Sequence, residues 1–178
     1  MRIDTVIDVK TSLGESPIWD AEQERLYFVD SVDGRIFRVT ADGREIQTWD
    51  VREKIGSMCL RRDGDAAIVA LQSGLYSYWF DEDALELLHA PEADLPNNRL
   101  NDGKADSAGR FVVGSMGTQE QAASGKLYRL DPDLSLTVLD TGIVCSNGPC
   151  FSPDERTGDD AAERLGLTRG SSRWRLSR

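Results

Sequence analysis

Short runs of alternating or β-branched residues recur along the chain, each four to eight residues long. They include SPIWD, RLYFVDS and RIFRVT, then SMCLRR, AAIVALQ and GLYSYWF, then GRFVVGSM, GKLYRLD and LTVLDTG. Asp-Gly, Ser-Gly, Asp-Pro and Pro-Asp pairs bound them, which is the punctuation of strands joined by tight turns. No window of a dozen residues carries a helical period. The acidic stretch DEDALELL is read as a hairpin end followed by a strand. The pattern predicts an all-β fold.

The runs also repeat as a unit: strand, polar turn, apolar strand, small-residue turn, then Gly and an aromatic or aliphatic strand. The unit appears as SPIWDAEQERLYFVDSVDGRIFRV, again as SMCLRRDGDAAIVALQSGLYSYWF, and a third time as GKADSAGRFVVGSMG extended to SGKLYRLDP. A fourth begins at GPCFSPDERTG. The equivalent positions Ile18, Met58, Lys104 and Cys150 are spaced 40, 46 and 46 residues apart. A period of about 40–50 residues built from four short strands is that of a propeller blade, and the constant phase favours it over a β-sandwich with coincidental turns. The chain of 178 residues would then hold about three and a half blades.

The fourth copy breaks off. After FSPDE the chain reads RTGDDAAERLGLTRGSSRWRLSR, with no strand-length apolar run. Six Arg face three acids there, whereas residues 1–155 carry a net charge of −13. Residues 1–155 are expected to be a partial propeller and 156–178 an anomalous basic tail. Because the break falls inside a repeat, a shifted reading frame is the favoured origin, with a natural disordered tail as the alternative.

Charge and cysteine content narrow the function. A net charge of −10 argues against nucleic-acid or anionic-membrane partners. Three cysteines, Cys59, Cys145 and Cys150, give no disulfide framework. MRIDTVIDVKTSLGE lacks the apolar core of a signal peptide, and no stretch reaches membrane-spanning length. A cytoplasmic setting is expected. Cys145 and Cys150 are expected to be small core residues near the channel. Trp19, Trp49 and Trp79 are expected to pack within strands. The single histidine, His89, is expected at a strand end or in a loop and has no nucleophile motif around it; a histidine-rich zinc site is excluded.

What remains for chemistry is a set of oxygen-bearing residues at blade starts: Glu15 in LGESPIW, Asn101 and Asp102 in NNRLNDGKAD, and Asn147 in CSNGPCFSPD. Taken singly, Asp102-Gly103 and Asn147-Gly148 read as turns and Glu15 as a surface carboxylate. Their shared position in the repeat raises the functional reading, since blade starts converge on one end of the central channel.

The segments LGESPIWDAEQERLYFVDS, LPNNRLNDGKADSAGRFVVGSMG, SGKLYRLDP and SNGPCFSPD resemble those of the SMP-30/gluconolactonase/regucalcin-like (LRE) family, in family order and spacing across residues 13–154. The resemblance implies a six-bladed propeller with one divalent ion (Ca, Mg, Mn or Zn) at the channel mouth. Glu15 and Asn147 match two of the family's metal ligands. The third, an Asp about 50 residues beyond Asn147 that doubles as general base, has no counterpart in this sequence, so no catalytic residue is assigned. Arg99, Asn101 and Asp102 match substrate-contacting positions; Glu120 in the TQEQAAS loop aligns too loosely to assign. The implied activity is metal-dependent hydrolysis of a sugar lactone to an aldonic acid. The alternatives are an inactive fragment that self-associates through exposed strand edges, or a non-catalytic calcium-binding regulator.

Overall fold

The computed structural model describes residues 3–62, 64–154, 157–160 and 172–175. These residues form fifteen strands in four antiparallel sheets, with no helix among them. The first sheet comprises β1 (Gly14–Asp20), β2 (Arg25–Asp30), β3 (Arg35–Thr40) and β4 (Ile46–Asp50). The second holds β5 (Ile55–Leu60), β6 (Ala66–Leu71), β7 (Leu75–Trp79) and β8 (Ala84–His89). The third holds β9 (Asn98–Ala105), β10 (Phe111–Gly117), β11 (Gly125–Leu130) and β12 (Leu136–Ile143). Each of these runs in sequence order from its first strand to its last, the meander of a propeller blade. The acidic DEDALELL segment forms the hairpin into β8, and His89 stands at the end of that strand.

A fourth, three-stranded sheet pairs β13 (Cys150–Phe151) with β14 (Thr157–Asp160) and β14 with β15 (Ser172–Arg175). The expected boundary at 155–156 and most of the 156–178 segment lie outside the described residues. The two described stretches of that segment are strands. Backbone pairing builds them where the sequence offers no long apolar run.

No blade has a core of its own. Blades one and two bury Tyr27, Val29, Ile36 and Val51 against Ile55, Met58, Val69, Leu71 and Tyr78. The other face of β6, through Ile68 and Ala70, packs with Leu75 against Leu100, Phe111, Val113 and Tyr128 of blade three. Val112 on β10 then faces the other way, with Leu127 and Ile143, toward Phe151 of blade four. Every central strand therefore needs two apolar faces, which is why AAIVAL and FVVGSM read as continuous runs rather than alternations. Trp49 donates its indole N–H to the carbonyl of Phe80 at 3.0 Å, tying blade one to blade two. Trp79 lies under the Arg61 guanidinium. Trp19 departs from the expected packing role: it is half exposed.

The first strands line a groove of about 850 Å³ bounded by Ser16, Met58, Asp102, Lys104 and Gly148 among others. No described helix is long and apolar enough to cross a membrane.

Blades three and four meet so closely at Gly114 that a Cβ there would lie 2.1 Å from the Ser146 Cβ. Gly114→Ala is expected to destabilise the chain by about 2 kcal/mol, the usual penalty of overpacking. Urea denaturation measures it, and a loss under about 0.5 kcal/mol would show that the two blades do not make this contact.

Candidate functional site at the channel end

The repeat places Glu15, Ile55, Asn101 and Asn147 at one phase, spaced by the same 40, 46 and 46 residues as the blade markers. Three of the four are oxygen-bearing. The second repeat puts a fully buried Ile55 there instead. Each of the first three inner strands breaks its register at this point. In β1, Ser16 and Pro17 stand opposite Phe28 alone. In β5 the extra residue is Gly56. In β9, Asn101 and Asp102 stand opposite Gly114 alone. Such bulges bend a strand and re-aim its side chains.

Glu15 is set by the segment before it. The buried Asp30 carboxylate accepts the backbone N–H groups of Ser12 (2.9 Å), Leu13 (3.2 Å) and Asp33 (3.3 Å) and a 2.9 Å bond from Arg35. Burial opposes that charge, but the converging donors hold the Asp30 carboxyl below its ordinary value. Glu15 shifts the other way. Desolvation raises its pKa, Arg99 opposes the rise, Asp102 adds to it and a Ser31 hydrogen bond lowers it. Burial pulls the Arg99 guanidinium down, and Glu15, Cys145 and Glu120 counter that. Glu15, Arg99 and Asp102 thus share one electrostatic neighbourhood, and Glu120 lies within reach of Arg99.

The neighbouring blade supplies the rest. Asn101 donates from Nδ2 to the carbonyl of Ser146 at 2.7 Å and to Asn147 Oδ1 at 3.2 Å. Its Oδ1 is buried with no partner, a costly state for an amide oxygen unless a ligand supplies a donor or a cation. Asn147 Nδ2 lies 3.1 Å from Cys145 Sγ. Asp102 accepts its own following N–H, from Gly103, at 2.9 Å and that of Gly148 at 2.7 Å, bracketing blade three to blade four. Behind Asn101, Ser57 donates to its carbonyl at 2.8 Å, and a Cβ on Gly56 would lie 2.4 Å from that oxygen.

The donor set suits a hard divalent cation. Glu15 offers a carboxylate and Asn147 an amide oxygen with a lone pair left after its one hydrogen bond. Among the described residues no group of three or more His, Cys, Asp or Glu side chains is placed to hold a metal ion. Cys145 is buried beside the asparagines, 3.6 Å from Met116 Sδ, whereas Cys150, expected near the core, is exposed. Ser57 carried no sequence signal for its place behind Asn101; a serine in a strand is ordinary until the blade next to it is known.

The blades thus form an all-β array in which amides, carboxylates and a guanidinium from separate repeats lie close together. The chain belongs to the SMP-30/gluconolactonase/LRE-like family, whose region matches residues 13–158. It is similar to the regucalcin of Xenopus laevis, 32% identical over 88% of this chain and 54% of that protein. It is also similar to the L-arabinolactonase of Azospirillum brasilense, 33% identical over 83% of this chain and 50% of the enzyme. Among solved structures, a calcium-binding protein, regucalcin, from Agrobacterium tumefaciens superposes with a TM-score of 0.83 at 23% identity, over 94% of this chain and 55% of that one. The fold is that of about half of a six-bladed propeller. The chain spans about half the length of the curated relatives it matches.

A raised Glu15 pKa means that the folded state holds this proton more tightly than the unfolded chain. The resulting stability is present below the unfolded value and is lost as pH rises through the folded one. Glu15→Gln is therefore expected to raise the thermal midpoint at pH 7 and leave it unchanged below about pH 4. Melting curves across that range check this; an equal or lower midpoint at pH 7 would refute it.

Proposed function

We propose that this chain carries the ion-binding and substrate-binding part of a sugar-lactone hydrolase. The observation that carries the reading is the 3.2 Å pairing of Asn101 with Asn147 from the next repeat, beside an Arg99 on which Glu15 of the first repeat acts electrostatically. Lactonases of the family, such as the L-arabinolactonase, are named for this reaction. In the proposed arrangement Glu15 and Asn147 hold a divalent ion. The chemistry such an ion supplies is polarisation of the lactone carbonyl and stabilisation of the oxyanion.

The chain's own residues do the rest of the binding. The Arg99 guanidinium presents a planar fork of donors to sugar hydroxyl or ring oxygens. Asn101 is oriented by Ser146, and its unpartnered Oδ1 accepts a sugar hydroxyl proton. Asp102 has two of its lone-pair sites engaged by backbone N–H groups and can still accept from a hydroxyl. Partial desolvation of Glu15 and Arg99 strengthens their attraction for each other and for a polar ligand. No general base is assigned within this chain. A cytoplasmic setting agrees with the three free cysteines.

The reading is tested by incubating the chain with aldono-1,4- and 1,5-lactones and following acid release, with chelator and with Ca, Mg, Mn or Zn restored. Chelator-sensitive turnover supports it. In parallel, calorimetry is expected to show ion binding that weakens at least about tenfold in Glu15→Gln and Asn147→Ala. Ion binding without turnover would turn the assignment to a non-catalytic calcium-binding protein. Neither binding nor turnover would leave an inactive chain.

A further inference from the structure

Asn98 immediately precedes Arg99 on β9 and is itself buried. Its amide orientation is fixed from both sides. Oδ1 accepts the Ser124 hydroxyl at 2.8 Å, so Nδ2 points the other way, donating to Glu92 Oε2 at 2.9 Å and to the Ser124 carbonyl at 3.2 Å. The second oxygen of Glu92 accepts the hydroxyls of Ser115 at 2.7 Å and Tyr128 at 2.9 Å. Ser115 Oγ meanwhile accepts the Lys126 N–H at 2.8 Å, which leaves its own proton available to donate. Ser115 and Tyr128 are both buried, and burial together with the Glu92 carboxylate pushes the Tyr128 hydroxyl pKa upward. One acceptor-only carboxylate thus gathers donors from β9, β10 and β11.

Glu92 lies in the 90–97 connection between blades two and three. Residues 118–124 connect β10 to β11 and carry Glu120, which acts electrostatically on Arg99. The connection is pinned at both ends: Thr118 donates to the Asn97 carbonyl at 2.8 Å, and Ser124 holds Asn98. Gly117 keeps this corner tight, since a Cβ there would sit 3.2 Å from Ser124 Oγ.

We propose that Glu92 is a positioning residue: through Asn98 it sets Arg99 on β9 and the 118–124 connection in fixed relation, so that Arg99 meets a bound sugar in one orientation. The proposal rests on the lactonase reading only for the identity of the ligand. Glu92 touches no ligand in this scheme and acts through Asn98.

The informative variant is Glu92→Gln. Its carbonyl oxygen keeps the two hydroxyl bonds, while its new NH2 meets the Asn98 NH2, so only the link to Asn98 is lost. Hydrogen exchange and the Arg99 side-chain Nε–H resonance are read on the whole chain. Exchange of residues 118–124 is expected to quicken about tenfold, as loss of one such bond implies, and the Arg99 Nε–H resonance to shift. Amides of β10 and β11 should stay as protected as before. Ser124→Ala, which cuts only the connection, is expected to quicken 118–124 and leave the Arg99 resonance in place. An unchanged connection and unchanged Arg99 in Glu92→Gln would overturn the proposal. So would a uniform loss of protection across blade three, which would make Glu92 a packing residue only. These readouts need no lactone, so failed turnover with the expected exchange pattern counts against the lactonase reading alone.

Discussion

A four-stranded sheet with two apolar faces cannot bury either of them by itself. That constraint governs this molecule. Blade two is sandwiched, with Val69 and Leu71 of β6 facing blade one and Ile68 and Ala70 facing blade three. Stability therefore resides between blades more than within them, as in other repeat architectures. Position follows from the same packing. Because neighbouring inner strands must approach closely, backbone meets backbone at Gly56 and Asn101, and side chain meets a bare backbone at Gly114 and Ser146. Those contacts bring residues from separate repeats to within hydrogen-bonding distance.

The site inherits its geometry from this arrangement. Asn101 and Asn147 are one repeat apart in sequence and 3.2 Å apart in space. Asp102 and Gly148, also one repeat apart, are joined at 2.7 Å. Glu15 belongs to the same group electrostatically, through Arg99 and Asp102. Charge here is held in a partly desolvated pocket, which costs folding stability and strengthens the pull on a ligand.

Much of this was legible in the chain itself. The blade period and many of the strands follow from runs such as RLYFVDS and AAIVALQ, because period and turn chemistry are local; β4 and the first half of β9 lack such a run. The candidate residues stood out in the sequence for the same reason: Glu15, Asn101 and Asn147 share a phase in a repeat that the eye can count, and Asp102 follows Asn101 directly. Glu92 and Ser57 were not visible, since each gains meaning only from a neighbour on another strand or blade. Cys150 and Trp19, read as packing residues, are exposed and half exposed. A strand's apolar or small residue reads as core whether or not another blade covers it. In the last repeat, strands formed at Thr157–Asp160 and Ser172–Arg175 by pairing of main-chain groups, which a search for apolar runs does not detect.

The fully buried Ile55 sits where the other repeats carry Glu, Asn and Asn. In β1 and β5 the extra residue follows the residue at that phase, whereas in β9 the bulge contains Asn101 itself. Ile55 belongs to the apolar core shared by blades one and two, so the second repeat contributes packing at the phase where the other three contribute polar groups.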